Sequence, residues 1–170
     1  YKTNNVFDSF QPFNINNDKL DMYFCHNGNI INTDYLIEIL KNRYNIINKE
    51  EVSDSYLLFQ IIFYYLNNRK EDTFDKQIKS HDILELSNFL HTNVIGSYSI
   101  ILYIKNYGLV ILKDKFGIRP LIYGKNSEND ILISSESCSL NNVLNYEIIN
   151  EVNEGETIVF TQKGQKYRYQ

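Results

Sequence analysis

The chain has 170 residues and a formal net charge of -4, with 17 Lys and Arg against 21 Asp and Glu, and one domain of this length buries most of its apolar surface without metals or disulfides. Both signs are scattered along it, which argues against a nucleic-acid face, and no apolar run approaches the roughly 20 residues of a membrane-spanning helix. Cys25 and Cys138 form no CxxC pair, so neither a disulfide framework nor a zinc site is indicated, and a soluble domain in a reducing cytoplasm is expected.

The opening, to about Asp18, is polar and aromatic without periodicity and reads as a loop. Met22 to Cys25 forms a short apolar strand running into His26-Asn27-Gly28-Asn29, a turn-forming cluster where the chain is expected to bend. With Asn32 or Thr33 as N-cap, Leu36, Ile39, Leu40 and Tyr44 recur at helical spacing. A second helix begins near Ser53, and its pairs Leu57/Leu58, Ile61/Ile62 and Tyr65/Leu66 lay one wide apolar stripe against a core. Asn67 to Ser80 is charged and reads as a mobile, solvated connection with some helical content. Ser80 is expected to cap a third helix whose inner face carries Ile83, Leu86, Phe89 and Leu90.

From Gly96 the period changes. Tyr98 to Ile104 and Leu109 to Leu112 read as a β-hairpin around Lys105-Asn106-Tyr107-Gly108. Strand-like segments follow at Leu121 to Tyr123, Asp130 to Ser134, Thr157 to Phe160 and Lys166 to Tyr169, with a short capped helix over Ser135 to Leu140. Helices grouped ahead of most strands imply a layered α+β fold in one domain over 1–170.

His26-Asn27-Gly28-Asn29 is the first cluster with chemical content. An Asn side-chain amide beside a Gly backbone N–H supplies two donors, the requirement of an oxyanion hole for acyl transfer; an ordinary Asn-Gly turn has the same composition. Two later segments narrow the choice. Asp114-Lys115-Phe116-Gly117-Ile118-Arg119-Pro120-Leu121 and Ser134-Ser135-Glu136-Ser137-Cys138-Ser139-Leu140 resemble the paired D-x-F-G-I-R-P-L and A-S-E-S-C-A-L segments of amidophosphoribosyltransferases. Gln11-Pro12-Phe13, Ser53-Asp54-Ser55-Tyr56, Gly96-Ser97-Tyr98-Ser99 and Glu154-Gly155-Glu156 fall where that family shows Q-P-F, S-D-S-E, G-A-Y-S and P-G-E.

The resemblance implies a class II glutamine amidotransferase domain, a four-layer αββα sandwich of the N-terminal-nucleophile hydrolase type. It further implies that an N-terminal cysteine attacks the glutamine amide, that Asn27 (side chain) and Gly28 (N–H) form the oxyanion hole, and that Asp54 holds the substrate α-amino group. An Asp in a first helical turn is also favoured by the helix dipole alone. Tyr56 replaces the Glu of the family's capping box, a structural change costing on the order of 1 kcal/mol or less. Tyr1 and Thr3 match the family's R-Y-x-T and are expected to line the glutamine pocket, with the Arg and the nucleophilic cysteine lying upstream. The domain is thus expected to be incomplete at its N-terminus and inactive alone. Cys25 and Cys138 read as buried small hydrophobes and not nucleophiles; Glu136 is expected to order a loop or helix start, and Arg119 to fix its loop by hydrogen bonds.

No cofactor is expected in this domain. Magnesium and phosphoribosyl pyrophosphate would belong to a phosphoribosyltransferase domain absent from the chain, and the resemblance implies a homo-oligomer. Competing expectations are another class II amidotransferase of the glucosamine-6-phosphate synthase or asparagine synthetase type, and a non-catalytic interaction module that has lost its nucleophile.

Overall fold

Three helices lie on one face of a large antiparallel sheet, and a smaller sheet covers part of the other face. A computed structural model of the chain describes residues 10–47, 52–69, 77–141, 146–164 and 166–169. In chain order the elements are β1 (Phe13–Asn16), β2 (Asp21–Ile30), α1 (Thr33–Tyr44), α2 (Asp54–Asn67), α3 (Ser80–Asn93), β3 (Gly96–Ile104), β4 (Gly108–Lys113), β5 (Ile122–Lys125), β6 (Ile131–Ser134), α4 (Cys138–Asn141), β7 (Glu147–Glu151), β8 (Thr157–Thr161) and β9 (Lys166–Tyr169). The six-stranded sheet runs β1-β2-β3-β4-β8-β9 and the three-stranded sheet β6-β5-β7.

The period-2 alternation of each strand sorts its side chains between two cores. On β3, Tyr98, Ile100, Leu102 and Ile104 enter the helix-side core, while Ile101 packs against Ile111, Tyr123 and Ile158 between the sheets. On α2, Leu57, Leu58, Ile61, Ile62 and Leu66 are each at most 1% exposed, as the every-fourth-residue pairing predicts; burial of this kind contributes about 1.5–3 kcal/mol per side chain. The fourth layer among the described residues is the single turn α4, with Leu140 buried on the outer face of the small sheet. Gly124 permits that approach: a Cβ there would stand 2.3 Å from a Leu140 methyl. The αββα expectation therefore holds, with a thin outer layer.

Lys113 and Asp114 bind the layers together. The Lys113 Nζ, buried inside, donates to Glu151 Oε1 at 3.0 Å and to the Val152 carbonyl at 3.1 Å, joining the end of β4 to the end of β7. Asp114, 1% exposed, accepts from the Tyr98 N–H at 3.1 Å and the Phe116 N–H at 2.9 Å. The Asp114-to-Leu121 segment is thus architectural, and the Arg119 carbonyl, not its guanidinium, takes a bond from Ser99 Oγ at 3.0 Å.

Several local expectations are corrected. The opening is not all loop: Phe13 to Asn16 pairs with Phe24 to Asp21 as β1, and burial of Phe13 against Phe24 and Phe59 supplies a driving force that alternation over four residues is too short to reveal. The strand β7 was also not anticipated. Ser80 is the first helical residue and not the cap of α3, where Asp82 Oδ2 instead accepts from the Lys79 N–H at 2.8 Å. Asn32 occupies the N-cap position of α1 without capping it, because its side chain bridges the Asn93 carbonyl and the Ile95 N–H. Cys138 is exposed and Cys25 half-buried, since α4 is one turn whose first residue faces solvent. Half of the Asn67 to Ser80 connection, residues 70–76, lies outside the described residues.

Candidate active site at the edge of strand β2

His26-Asn27-Gly28-Asn29 is not a turn. It is the second half of β2, in continuous register with β3 from Met22↔Ile104 to Ile30↔Gly96. The long-range ladder overrides the local turn preference of Asn-Gly, as tertiary pairing does wherever a full row of backbone bonds competes with one propensity. Gly28 is required for a different reason than bending: a Cβ at this position would lie 2.0 Å from the Ser97 carbonyl oxygen and 2.5 Å from His26 Nε2. Glycine within a strand commonly marks such an approach.

Beyond Phe24, β1 no longer covers the outer edge of β2. Side chains take over. The Gln11 carboxamide pairs with His26 on both sides, its Nε2 donating to the His26 carbonyl at 3.0 Å and its Oε1 accepting from the His26 N–H. Two residues past Gly28, the Ile30 N–H donates to Asp54 Oδ2 at 2.9 Å. The N–H groups of His26 and Ile30 thus point out of the same edge, and the period of a strand aims the Gly28 N–H the same way, between them. Among the described residues, no loop or side-chain acceptor outside the sheet takes that N–H.

Asn27 projects from the opposite face to Phe24 and His26, toward the smaller sheet, and its Nδ2 donates to Ser135 Oγ at 3.3 Å. One N–H of the carboxamide is thereby occupied and its orientation set, leaving the second N–H free to donate. The contact joins the His26-to-Asn29 segment to the Ser134-to-Leu140 segment, which are 108 positions apart at Asn27 and Ser135.

Asp54 opens α2 behind Ser53, whose Oγ accepts from the Tyr56 N–H at 3.1 Å, so half of a capping box persists with Tyr56 in place of an acid. Asp54 Oδ1 accepts from the Ser55 N–H at 2.7 Å and Ser55 Oγ lies 2.8 Å from His26 Nδ1. His26 is 7% exposed and, among the described residues, Nε2 has no hydrogen-bond partner; the Ser97 carbonyl lies nearby without reaching hydrogen-bond geometry. Burial pushes the His26 imidazole below its ordinary value, against the opposing pull of the Asp54 carboxylate.

Of the residues singled out in the sequence, Asn27, Gly28 and Asp54 are brought to one strand edge and the helix start beside it. Tyr1 and Thr3 lie outside the described residues. Burial pushes the Cys25 thiol up, the wrong direction for a nucleophile, and the exposed Cys138 meets no hydrogen-bonded base among the described residues. Among the described residues no cluster of three His, Cys, Asp or Glu side chains could hold a metal, and no helix is long and apolar enough to cross a membrane. Gln11, Ser55 and Ser135 were not assigned roles from the sequence. Each lies inside a quoted motif, yet nothing local shows that Gln11 would complete the β2 edge or that Ser135 would meet Asn27.

Two face-to-face antiparallel sheets flanked by helices are the layout of a four-layer αββα sandwich. The glutamine amidotransferase domain family matches residues 3–142, and the chain belongs to it. The chain is 33% identical over 164 residues to an amidophosphoribosyltransferase of Haemophilus influenzae, covering 94% of this chain and 31% of that protein. It is 34% identical over 165 residues to the Pasteurella multocida amidophosphoribosyltransferase, again covering 94% and 31%. It therefore spans about a third of the length of these relatives. Among solved structures, the glutamine phosphoribosylpyrophosphate amidotransferase from B. subtilis superposes with a TM-score of 0.75 at 20% identity, over 96% of this chain and 32% of that one. A glutamine aminotransferase class-II domain protein from Silicibacter pomeroyi superposes with a TM-score of 0.53 at 13% identity, over 92% and 70%.

Proposed function

We propose that this chain is the glutamine-hydrolysing part of an amidophosphoribosyltransferase, in which ammonia released from glutamine displaces pyrophosphate from phosphoribosyl pyrophosphate to give 5-phosphoribosylamine at the entry to purine synthesis. The observation that carries the glutaminase half is the strand edge at Gly28. The Gly28 N–H, which no acceptor outside the sheet takes among the described residues, the Asn27 carboxamide and the Asp54 carboxylate are held in one framework by Ile30 and Ser135. Names of the relatives support the second half of the reading.

In the proposed chemistry a cysteine of the full-length polypeptide, neither Cys25 nor Cys138, attacks the glutamine side-chain carbonyl carbon. The carbonyl electron pair moves onto oxygen, where Asn27 Nδ2–H and the Gly28 N–H stabilise it; each such preset donor contributes about 3 kcal/mol to the barrier reduction. The proton given up by the attacking thiol passes to the amide nitrogen, and collapse expels that nitrogen as ammonia and leaves a thioester. Water then attacks the thioester, releasing glutamate and the free thiol. Asp54 anchors the substrate α-ammonium through the lone pairs that Ile30 and Ser55 leave open, and Tyr1 and Thr3 line the pocket. Any metal requirement, magnesium above all, belongs with the phosphoribosyl chemistry, and the working enzyme is a homo-oligomer.

The test is glutamate release from glutamine by the full-length polypeptide. Asp54→Asn removes the anchoring charge, and the glutamine KM is expected to rise at least tenfold. An unchanged KM would remove Asp54 from the substrate site and favour a purely structural tie between α2 and β2.

A further inference from the structure

Among the described residues, two bonds tie the start of α2 to the catalytic edge of β2, and they sit symmetrically about Gly28. Two residues after it, the Ile30 N–H is bound by Asp54 Oδ2 at 2.9 Å. Two residues before it, His26 Nδ1 meets Ser55 Oγ at 2.8 Å. A single bond between a strand and a helix end leaves a pivot, whereas two bonds fix both distance and angle. The strand side cannot slip, because Gln11 holds the His26 backbone on its outer edge and β3 holds the inner edge in register. The helix side is equally constrained: the Ser55 N–H donates to Asp54 Oδ1 at 2.7 Å, so the residue that grips His26 also orients the Asp54 carboxylate. His26 itself is buried on the helix side of the sheet, stacked on Phe24, with its Nε2 edge directly against the Gly28 backbone.

Resting on the glutaminase reading above, we infer that the His26–Ser55 bond is a positioning clamp that fixes the separation between Asp54 and the Gly28 N–H, and thereby selects substrate length, glutamine over asparagine. Both amino acids carry the same α-ammonium and the same terminal amide, so neither Asp54 nor the oxyanion hole alone distinguishes them. The span between the two sites does. Asparagine anchored at Asp54 places its carbonyl one carbon short of the Gly28 N–H, and a rigid span cannot shorten to meet it. One methylene is worth about 10–200-fold in discrimination when a site holds its dimensions. Releasing the clamp leaves the Asp54–Ile30 bond as a pivot, lets the span vary, and costs part of that factor.

The experiment measures kcat/KM for glutamine and for asparagine with the full-length polypeptide bearing Ser55→Ala, His26→Phe, or both. Each single substitution is expected to lower the glutamine-to-asparagine ratio about tenfold and to raise the glutamine KM. The double variant is expected to go no further, since both changes remove one bond and couple fully. A ratio that is unchanged, including asparagine hydrolysis below detection throughout, or losses that multiply in the double variant, would overturn the inference. Asp54→Asn separates the two levels: if it leaves the glutamine KM unaltered, the glutaminase reading itself fails, and if it raises KM while the clamp variants keep the ratio, only the clamp fails. Should His26→Phe not fold, Ser55→Ala decides alone, because it leaves the Ser53 cap of α2 and its bond to the Tyr56 N–H in place.

Discussion

Replacing Gly28 by alanine is the sharpest structural perturbation available, because it adds one methyl group where two rigid features meet. The new Cβ would lie 2.0 Å from the Ser97 carbonyl oxygen, 2.8 Å from its carbon and 2.5 Å from His26 Nε2. The imidazole could swing away at the expense of its Ser55 bond, but the carbonyl belongs to β3, which is locked between β2 and β4. Relief therefore requires the two strands to separate across the His26-to-Ile30 ladder. Overpacking of a core costs about 1–3 kcal/mol, and the backbone nature of the obstacle places this variant at the upper end, about 3 kcal/mol. For a domain of this size that corresponds to a fall in Tm of about 6–12 °C. Thermal unfolding followed by circular dichroism measures it directly. A Tm within 2 °C of the parent would show that the strands do not approach as closely as described, and would refute the steric account of Gly28.

Asp114→Ala strips the acceptor from the Tyr98 and Phe116 N–H groups and is expected to cost about 3 kcal/mol in urea unfolding, the scale for buried donors left unpaired. Stability should also fall on acidification. Burial holds the His26 and His91 imidazoles below their ordinary value of 6.5, so the unfolded chain takes up protons first; their contribution is complete above about pH 6.5 and is lost as the pH falls below it. Burial pushes the Glu156 carboxyl up, but its bonds to Arg168 and the Asn153 N–H outweigh this and hold it below 4.5. Its contribution is present above that value and is lost as the pH drops through the depressed one. Urea midpoints between pH 8 and pH 5 should therefore decline, and His91→Gln should flatten the decline.

The helices were legible because their apolar stripes repeat over three or four turns, and the core positions of α2 follow directly from the Leu57/Leu58 and Ile61/Ile62 pairs. The β3-β4 hairpin was legible for the same reason, with Asn106 at positive φ in its loop. What escaped was decided at long range. β1 is four residues whose reason to pair is a cluster of Phe side chains across the sheet. The His26-to-Asn29 segment carries turn-forming residues, yet nine consecutive pairs with β3 hold it extended. The grouping of Asn27, Gly28 and Asp54 in one site was expected through the resemblance they carry, and they stand together at the β2 edge. The scaffolding of that site was not legible: Gln11 reaching the His26 backbone and Ser135 reaching Asn27 depend on contacts 15 and 108 positions apart.

The central claim is that the edge of β2 stabilises an oxyanion during glutamine hydrolysis. Asn27→Ala in the full-length polypeptide tests it most directly, with kcat for glutamate release as the readout and Tm as the check on folding. Loss of one preset donor predicts a fall in kcat of about 10²–10³-fold with Tm little changed, since Asn27 is exposed and its side-chain bond to Ser135 is long. A kcat within a few-fold of the parent, in a folded variant, would contradict the assignment of this strand edge as the catalytic site.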